Sequence, residues 1–225
     1  MAPQARRHHA DEAQPAPPPR PTSRRIAEIA AGARDCTRCP LYRNATQTVF
    51  GEGSTRAKLM LVGEQPGDKE DIAGRPFVGP AGKLLDRALA AAEIDRDEAY
   101  VTNVVKHFKN EPRGKRRLHK RPNREEIEAC RWWLDLELQA VKPALVIALG
   151  VTAASALAGR AVVLSRTRQQ ILSFVGGIPG VATQHPSALL RVPDADARHR
   201  AFDAFVADLK FARDALRKGL AAAPS

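Results

Sequence analysis

The apolar run Leu59-Met60-Leu61-Val62, closed by Gly63-Glu64-Gln65-Pro66-Gly67, constrains the fold more than any other stretch of the chain. Four consecutive large apolar residues present no polar face to solvent, so they predict a strand buried on both sides, as in a parallel sheet. A Gly/Pro-rich turn at the carboxyl end of such a strand is where open α/β sheets place their ligand sites. This turn brings a carboxylate and a carboxamide, Glu64 and Gln65, to that crevice. Two further polar clusters end predicted strands, Thr102-Asn103 and Gln184-His185-Pro186-Ser187.

The remaining pattern alternates strand with helix. A short helix over Ile26 to Arg34 leads into Cys36-Thr37-Arg38-Cys39, and a strand follows at about 58–63. Leu84, Leu85, Ala88 and Leu89 share one face of the next helix. Then come a strand at 99–105, a basic loop at 106–121 and a long helix from Asn123 to Val141, with Asn123 as N-cap and Glu125 and Glu126 in the favourable first turn. A strand over Leu145–Leu149, a helix over Thr152–Ala158, a strand over Gly180–Gln184 and a helix from Ala197 to Leu216 complete the series. Such alternation predicts a three-layer α/β/α sandwich around a central, about four-stranded parallel sheet. The 225 residues suit one domain with a sizeable core. We place it at 23–216, after a Pro/Ala/Arg/His-rich tail at 1–22 that is too poor in large apolar residues to pack, and before a short C-terminal tail at 217–225.

Charge narrows the function class. Lys and Arg number 36 against 25 Asp and Glu, a formal net charge of +11. That balance points to a polyanionic partner, nucleic acid ahead of an anionic membrane; the competing reading is an Arg-rich proteome from a GC-rich genome. Met1 to Arg25 has paired basic residues but no apolar core, so it does not read as a secretory signal. Residues 144–159 are uncharged, but Gly150 divides them, and no membrane span is expected. Three cysteines, an odd number, argue against a disulfide framework and for a reducing compartment, the cytosol.

A C-x-x-C pair in that setting binds metal or does redox chemistry. The Pro40-Leu41-Tyr42 that follows Cys39 argues against the thioredoxin arrangement, which puts the pair at a strand-to-helix junction. A metal site needs further ligands, and Cys130 in the long helix supplies a third thiolate.

The ordered motifs Cys36-x-x-Cys39-Pro-Leu-Tyr, Gly63-Glu-Gln-Pro-Gly-Asp-Lys-Glu-Asp71 and Arg75-Pro-Phe-Val-Gly-Pro-Ala-Gly82 resemble the uracil-DNA glycosylase superfamily, in its iron–sulfur branch, family 4. Tyr100-Val-Thr-Asn-Val-Val-Lys-His107, Lys115-Arg-Arg-Leu-His119 and His185-Pro-Ser-Ala-Leu-Leu-Arg191 extend the resemblance over about residues 26–212. Two departures from family 4 stand out: His107 takes the place of a cluster cysteine, and the basic insert 114–119 is similar to the hallmark loop of family X, whose members crosslink to DNA.

The resemblance implies uracil excision from DNA, with single-stranded DNA preferred, by a monomer. It implies a 4Fe-4S cluster on Cys36, Cys39, His107 and Cys130, with zinc on the same residues as the alternative. Phe77 would stack on the flipped uracil, Asn103 would pair with O4 and N3–H, and His185 would donate to O2. Gln65 and Gly67 would line the base pocket, and Glu70 would crowd C5 against thymine. Lys115, Arg116, Arg117, Ser187 and Arg191 would hold the DNA backbone. In the family X reading His119 itself attacks C1′ and stays joined to the abasic sugar, while Glu64 holds its other ring nitrogen and stabilises the imidazolium. Two alternatives stay open: a multiple-turnover hydrolytic glycosylase of the family 4 type, with His119 a loop contact, and a non-catalytic binder of uracil-containing or single-stranded DNA.

Overall fold

The run at 59–62 is buried on both sides. A computed structural model describes residues 26–114 and 116–219. Its elements are α1 (Ile26–Ala33), β1 (Glu52–Gly53), β2 (Leu59–Gly63), α2 (Asp68–Ala73), α3 (Pro80–Ala91), β3 (Ala99–Asn103), β4 (Asn110–Arg113), β5 (Arg116–His119) and α4 (Arg124–Val141). They continue with β6 (Leu145–Leu149), α5 (Val151–Ala158), α6 (Leu164–Thr167), β7 (Leu172–Ser173), β8 (Pro179–Thr183), α7 (Pro186–Leu190) and α8 (Ala195–Arg217). The expected tail at 1–22 lies outside the described residues, as does all of 217–225 beyond Gly219; Arg217 closes α8.

The central sheet runs β1-β3-β2-β6-β8-β7. Its four inner strands are parallel, as expected, and each edge carries a two-residue antiparallel strand that the sequence pattern did not reveal. Successive residues of β2 point to opposite faces. Met60 and Val62 pack with α1, α4 and α5, while Leu59 and Leu61 pack with α3 and α8, which completes the three layers. In chain order the inner strands lie 2-1-3-4, so connections diverge between β2 and β6 and leave a crevice at their carboxyl ends.

The basic stretch at 106–121 is not a loop. β4 and β5 form an antiparallel hairpin that pairs Asn110 with His119 and Arg113 with Arg116. Gly114, at φ +59, makes the left-handed turn that a side-chain-bearing residue resists. The hairpin carries no apolar alternation to announce it; charged contacts with α2 hold it instead.

One ion pair ties α4 to the end of β3. Lys106 Nζ lies 2.5 Å from Glu137 Oε2, and both side chains are 0% exposed. Lys106 Nζ also donates to Thr102 Oγ1 and to the Asn103 carbonyl, each at 2.6 Å. Glu137 Oε1 accepts from Tyr100 OH at 2.9 Å and Gly51 N at 3.0 Å, so both charges are saturated with partners. Breaking one half of such a pair strands the other charge. Glu137→Ala should therefore lose about 3–5 kcal/mol in urea unfolding, whereas Lys106→Met with Glu137→Leu should lose far less. Equal losses for the single and double variants would show that the pair is not what carries the effect.

Candidate active site

Three strand ends deliver the site. Gly63 closes β2, Asn103 closes β3, and Gln184-His185 follows β8. A cavity of about 160 Å³ there is lined by Phe77, Asn103, Glu70, His119 and His185, among others. A wider groove of about 470 Å³ adjoins it and is lined by Glu64, Arg121 and Gly150. Gln65, His119, His185, Ser187 and Arg191 border both.

The cavity is held open by what is missing at Gly63. A Cβ there would meet Asn103 Oδ1 at 2.3 Å and Phe77 Cζ at 2.7 Å, so any other residue would displace one of them. Phe77 is buried and sits at φ +55, a left-handed conformation that costs a bulky residue about 1–3 kcal/mol and clusters at ligand sites. Its ring centroid is 6.0 Å from that of His185. Asn103 is buried too, and its Oδ1 has no hydrogen-bond partner among the described residues. An unmet buried acceptor costs about 1–3 kcal/mol, which a ligand donor would recover.

His185 presents one defined face. Ser187 N–H donates to its Nδ1 at 3.2 Å, so Nδ1 bears the lone pair and the neutral ring carries its proton on Nε2. Ser187 Oγ lies 2.8 Å from the same nitrogen, and Arg191 donates to that oxygen at 3.2 Å. Ser187 and Arg191, expected on the DNA backbone, thus also orient the histidine. Burial pushes the His185 pKa down to about 4, against the raising effect of Glu64.

His119 stands at the boundary of cavity and groove, its side chain 46% exposed. The Gln65 amide fixes it. Gln65 Oε1 accepts from Lys109 N at 3.0 Å and Nε2 donates to the Lys120 carbonyl at 2.8 Å, stitching both arms of the hairpin to the turn after β2. The same Nε2 lies 2.8 Å from His119 Nε2, and as an amide nitrogen it can only donate. His119 Nε2 therefore holds its lone pair toward Gln65. Gln65, expected as a base contact, acts first on the histidine. Glu64 approaches that same nitrogen at 3.8 Å, where the other ring nitrogen was expected. Its second oxygen accepts from Thr152 Oγ1 at 2.5 Å and lies 3.5 Å from Arg121 Nε. Desolvation lowers the His119 pKa, opposed by Glu64 and aided by Arg191.

A further expectation needs correction. Arg117 does not face solvent for a phosphate: Nε donates to Asp68 at 2.8 Å and Nη1 to Asp71 at 2.5 Å, clamping the hairpin to α2. Asp71 is fully buried, and this pairing offsets the cost of taking its carboxylate out of water. Glu70 lines the cavity, and its oxygens accept from Gly67 N at 3.1 Å and Gly79 N at 2.7 Å, making it a fixed wall. Gly67 lines the cavity through this contact. Arg116 is exposed, and Lys115 lies outside the described residues. Thr152, Arg121 and Lys106 were missed, since hydroxyls and cations at element ends carry no pattern of their own.

The expected metal ligands lie on the opposite side of β3's end. Cys130 Sγ accepts from Lys106 N and Cys36 Sγ from Trp133 Nε1, each at 3.1 Å, N–H donors of the kind that thiolate charge strengthens. Cys39 and Cys130 belong to one core cluster, and Cys36 packs against it. His107 is buried one residue after Lys106, and burial lowers its pKa. Among the described residues no three His, Cys, Asp or Glu side chains close on one ion position. Three free cysteines, two of them with N–H donors on sulfur, and a buried histidine are donor types that iron–sulfur clusters use. No helix among the described residues is long and apolar enough to cross a membrane.

The sequence pattern of the uracil DNA glycosylase superfamily matches residues 50–210. The chain is 38% identical over 164 residues to a Type-4 uracil-DNA glycosylase of Thermotoga maritima, covering 72% of this chain and 82% of the relative. It is 41% identical over 169 residues to the Type-4 uracil-DNA glycosylase of Pyrobaculum aerophilum, covering 71% and 82%. A Type-4 uracil-DNA glycosylase of Archaeoglobus fulgidus is 33% identical over 175 residues, covering 75% and 84%.

The half-buried His185 makes a test of its own. An unfolded imidazole takes a proton near 6.5, the folded one only near about 4. Between those values the unfolded chain binds the extra proton, so this residue's contribution lowers stability as pH falls through that window and levels off below it. An NMR titration should find His185 neutral at pH 5.5; half-protonation there would contradict the assigned environment.

Proposed function

The chain belongs to the uracil DNA glycosylase superfamily, and from that premise we propose that it excises uracil from DNA in the cavity between Phe77 and Asn103. The observation that carries this reading is the unpartnered Asn103 Oδ1. It awaits a donor, which uracil supplies at N3–H beside the O4 acceptor; cytosine reverses the two, with an acceptor at N3 and a donor at N4. A flipped base would lie against Phe77, its edge on Asn103 and its O2 toward the His185 Nε2–H. As the C1′–N1 bond breaks, its electron pair passes to the uracil ring. A neutral donor held by Ser187 stabilises the resulting anion without having to reorganise. Glu70, fixed by two glycine amides, forms the wall that a thymine methyl would meet.

The fate of the sugar divides two readings. The Type-4 names of the relatives fit hydrolysis: water adds to C1′, Glu64 receives its proton, and the enzyme turns over. The position of His119 favours capture. It borders both the base cavity and the groove, and its Nε2 lone pair is released once Gln65 N–H lets go. Nε2 then bonds to C1′, Nδ1 keeps its proton, and the positive charge left on the ring faces the Glu64 carboxylate, 3.8 Å from Nε2 in the free protein. Exposed Arg116 and the groove residues Arg121 and Arg191 would hold phosphates of the substrate, preferably single-stranded, for a monomer acting in the cytosol.

Cys36, Cys39, Cys130 and His107 would hold the 4Fe-4S cluster, which when bound supplies a cross-link between the turn after α1, the end of β3 and α4, at a distance from the chemistry. Uracil released per chain from uracil-containing single-stranded DNA, read beside a denaturing gel, decides among the outcomes. Capture predicts one uracil and one denaturation-resistant band per chain, both lost or uncoupled in His119→Ser. Hydrolysis predicts many uracils and no band. Glu64→Gln should slow either route by about 100-fold or more. Tight binding with no uracil released would overturn the enzyme reading.

A further inference from the structure

We propose that Thr48 is a positioning residue for the cluster, fixing the ring tautomer of His107 so that Nδ1 is the nitrogen offered to iron; this rests on the cluster reading above. The Thr48 hydroxyl touches three groups: the Ala33 carbonyl at 2.9 Å, the Arg34 carbonyl at 3.1 Å and His107 Nε2 at 3.0 Å. A hydroxyl has one proton, and carbonyl oxygens only accept. Were that proton given to His107, two carbonyl oxygens would face the hydroxyl's lone pairs with nothing between. The proton therefore goes to the carbonyls, and the lone pair receives Nε2–H from the imidazole. Nδ1 is left as the ring's free electron pair.

The contact does more than set a tautomer. Ala33 O also accepts from Cys36 N at 3.2 Å, so one carbonyl joins the turn that carries a cluster cysteine to the hydroxyl that holds the cluster histidine. Beside it, Val49 N donates to the Lys106 carbonyl at 2.8 Å, pinning the backbone on which both Thr48 and His107 ride. His107 is only 4% exposed, so water cannot replace the hydroxyl as the partner of Nε2–H. Imidazole ligands generally donate the second ring N–H to such an acceptor, and loss of the acceptor typically costs 10–100-fold in metal affinity or activity. A thiolate at the same position has no tautomer to set.

The test follows from that difference. Protein purified anaerobically is assayed for iron per chain and for the rate at which an added iron chelator removes it. Thr48→Val, close in shape but without the hydroxyl, should lose iron about tenfold faster or more, and Thr48→Ser should restore the wild-type rate. In a His107→Cys background, Thr48→Val should change the rate little. Equal acceleration in both backgrounds, or none in either, would overturn the inference, since packing alone would then explain Thr48. Pulsed electron paramagnetic resonance of the reduced wild-type protein, labelled with ¹⁵N at one ring nitrogen of histidine, gives a second readout that needs no variant. Strong coupling is expected from Nδ1, and strong coupling from Nε2 would contradict the tautomer. Wild-type protein without iron would defeat the cluster reading itself, and this inference with it, whatever the variants did.

Discussion

The ion pair between Lys106 and Glu137 is the constraint on which the functional end of the molecule depends. Its 2.5 Å contact is wholly buried, which is costly unless every donor and acceptor is met. Here Tyr100, Thr102, Gly51 and the Asn103 carbonyl meet them. The same lysine sends its side chain to Asn103 and its backbone N–H to Cys130. Five residues, 103 to 107, thereby join the amide proposed to read the base to two expected cluster ligands. The proposed cluster and the proposed pocket share a segment, and either can be disturbed through the other without any electron passing between them.

The layered fold was legible because burial on both faces leaves a plain trace. Leu59–Val62 and Leu145–Leu149 can only be inner strands, and the helix faces carry apolar residues three and four apart. The edge strands β1 and β7 have two residues each and bury little, so no pattern marks them. The hairpin was hidden for another reason. Its residues are mostly polar or charged, Leu118 being its one large apolar side chain, and its stability comes from Asp68, Asp71 and Gln65, some fifty residues earlier. A charge inside an apolar helix stripe was the one available hint of the buried pair: Glu137 falls among Trp133, Leu134, Leu138 and Val141.

The site shows the same division. Residue types at strand ends pointed to Glu64, Asn103 and His185, and the family resemblance alone to His119; the structure brings all four to one cavity and its adjoining groove. What sequence could not show was how each is aimed. Ser187 makes His185 a donor, Gln65 makes His119 Nε2 an acceptor, and Thr152 holds one oxygen of Glu64. These are single hydrogen bonds made across the fold, without periodicity. Two neutral imidazoles with opposite hydrogen-bonding roles therefore face one small cavity, one a donor and one an acceptor, the pair of roles on which the proposed mechanism draws.

The central claim is that Asn103 reads the base. Its most direct test is the single-turnover rate of uracil release by wild type and by Asn103→Ala, beside their affinities for the same DNA with thymine in place of uracil. The account predicts a rate lower by about one to two orders of magnitude, with the affinity for thymine DNA unchanged. An unchanged rate would contradict it, because the pocket would then lie elsewhere.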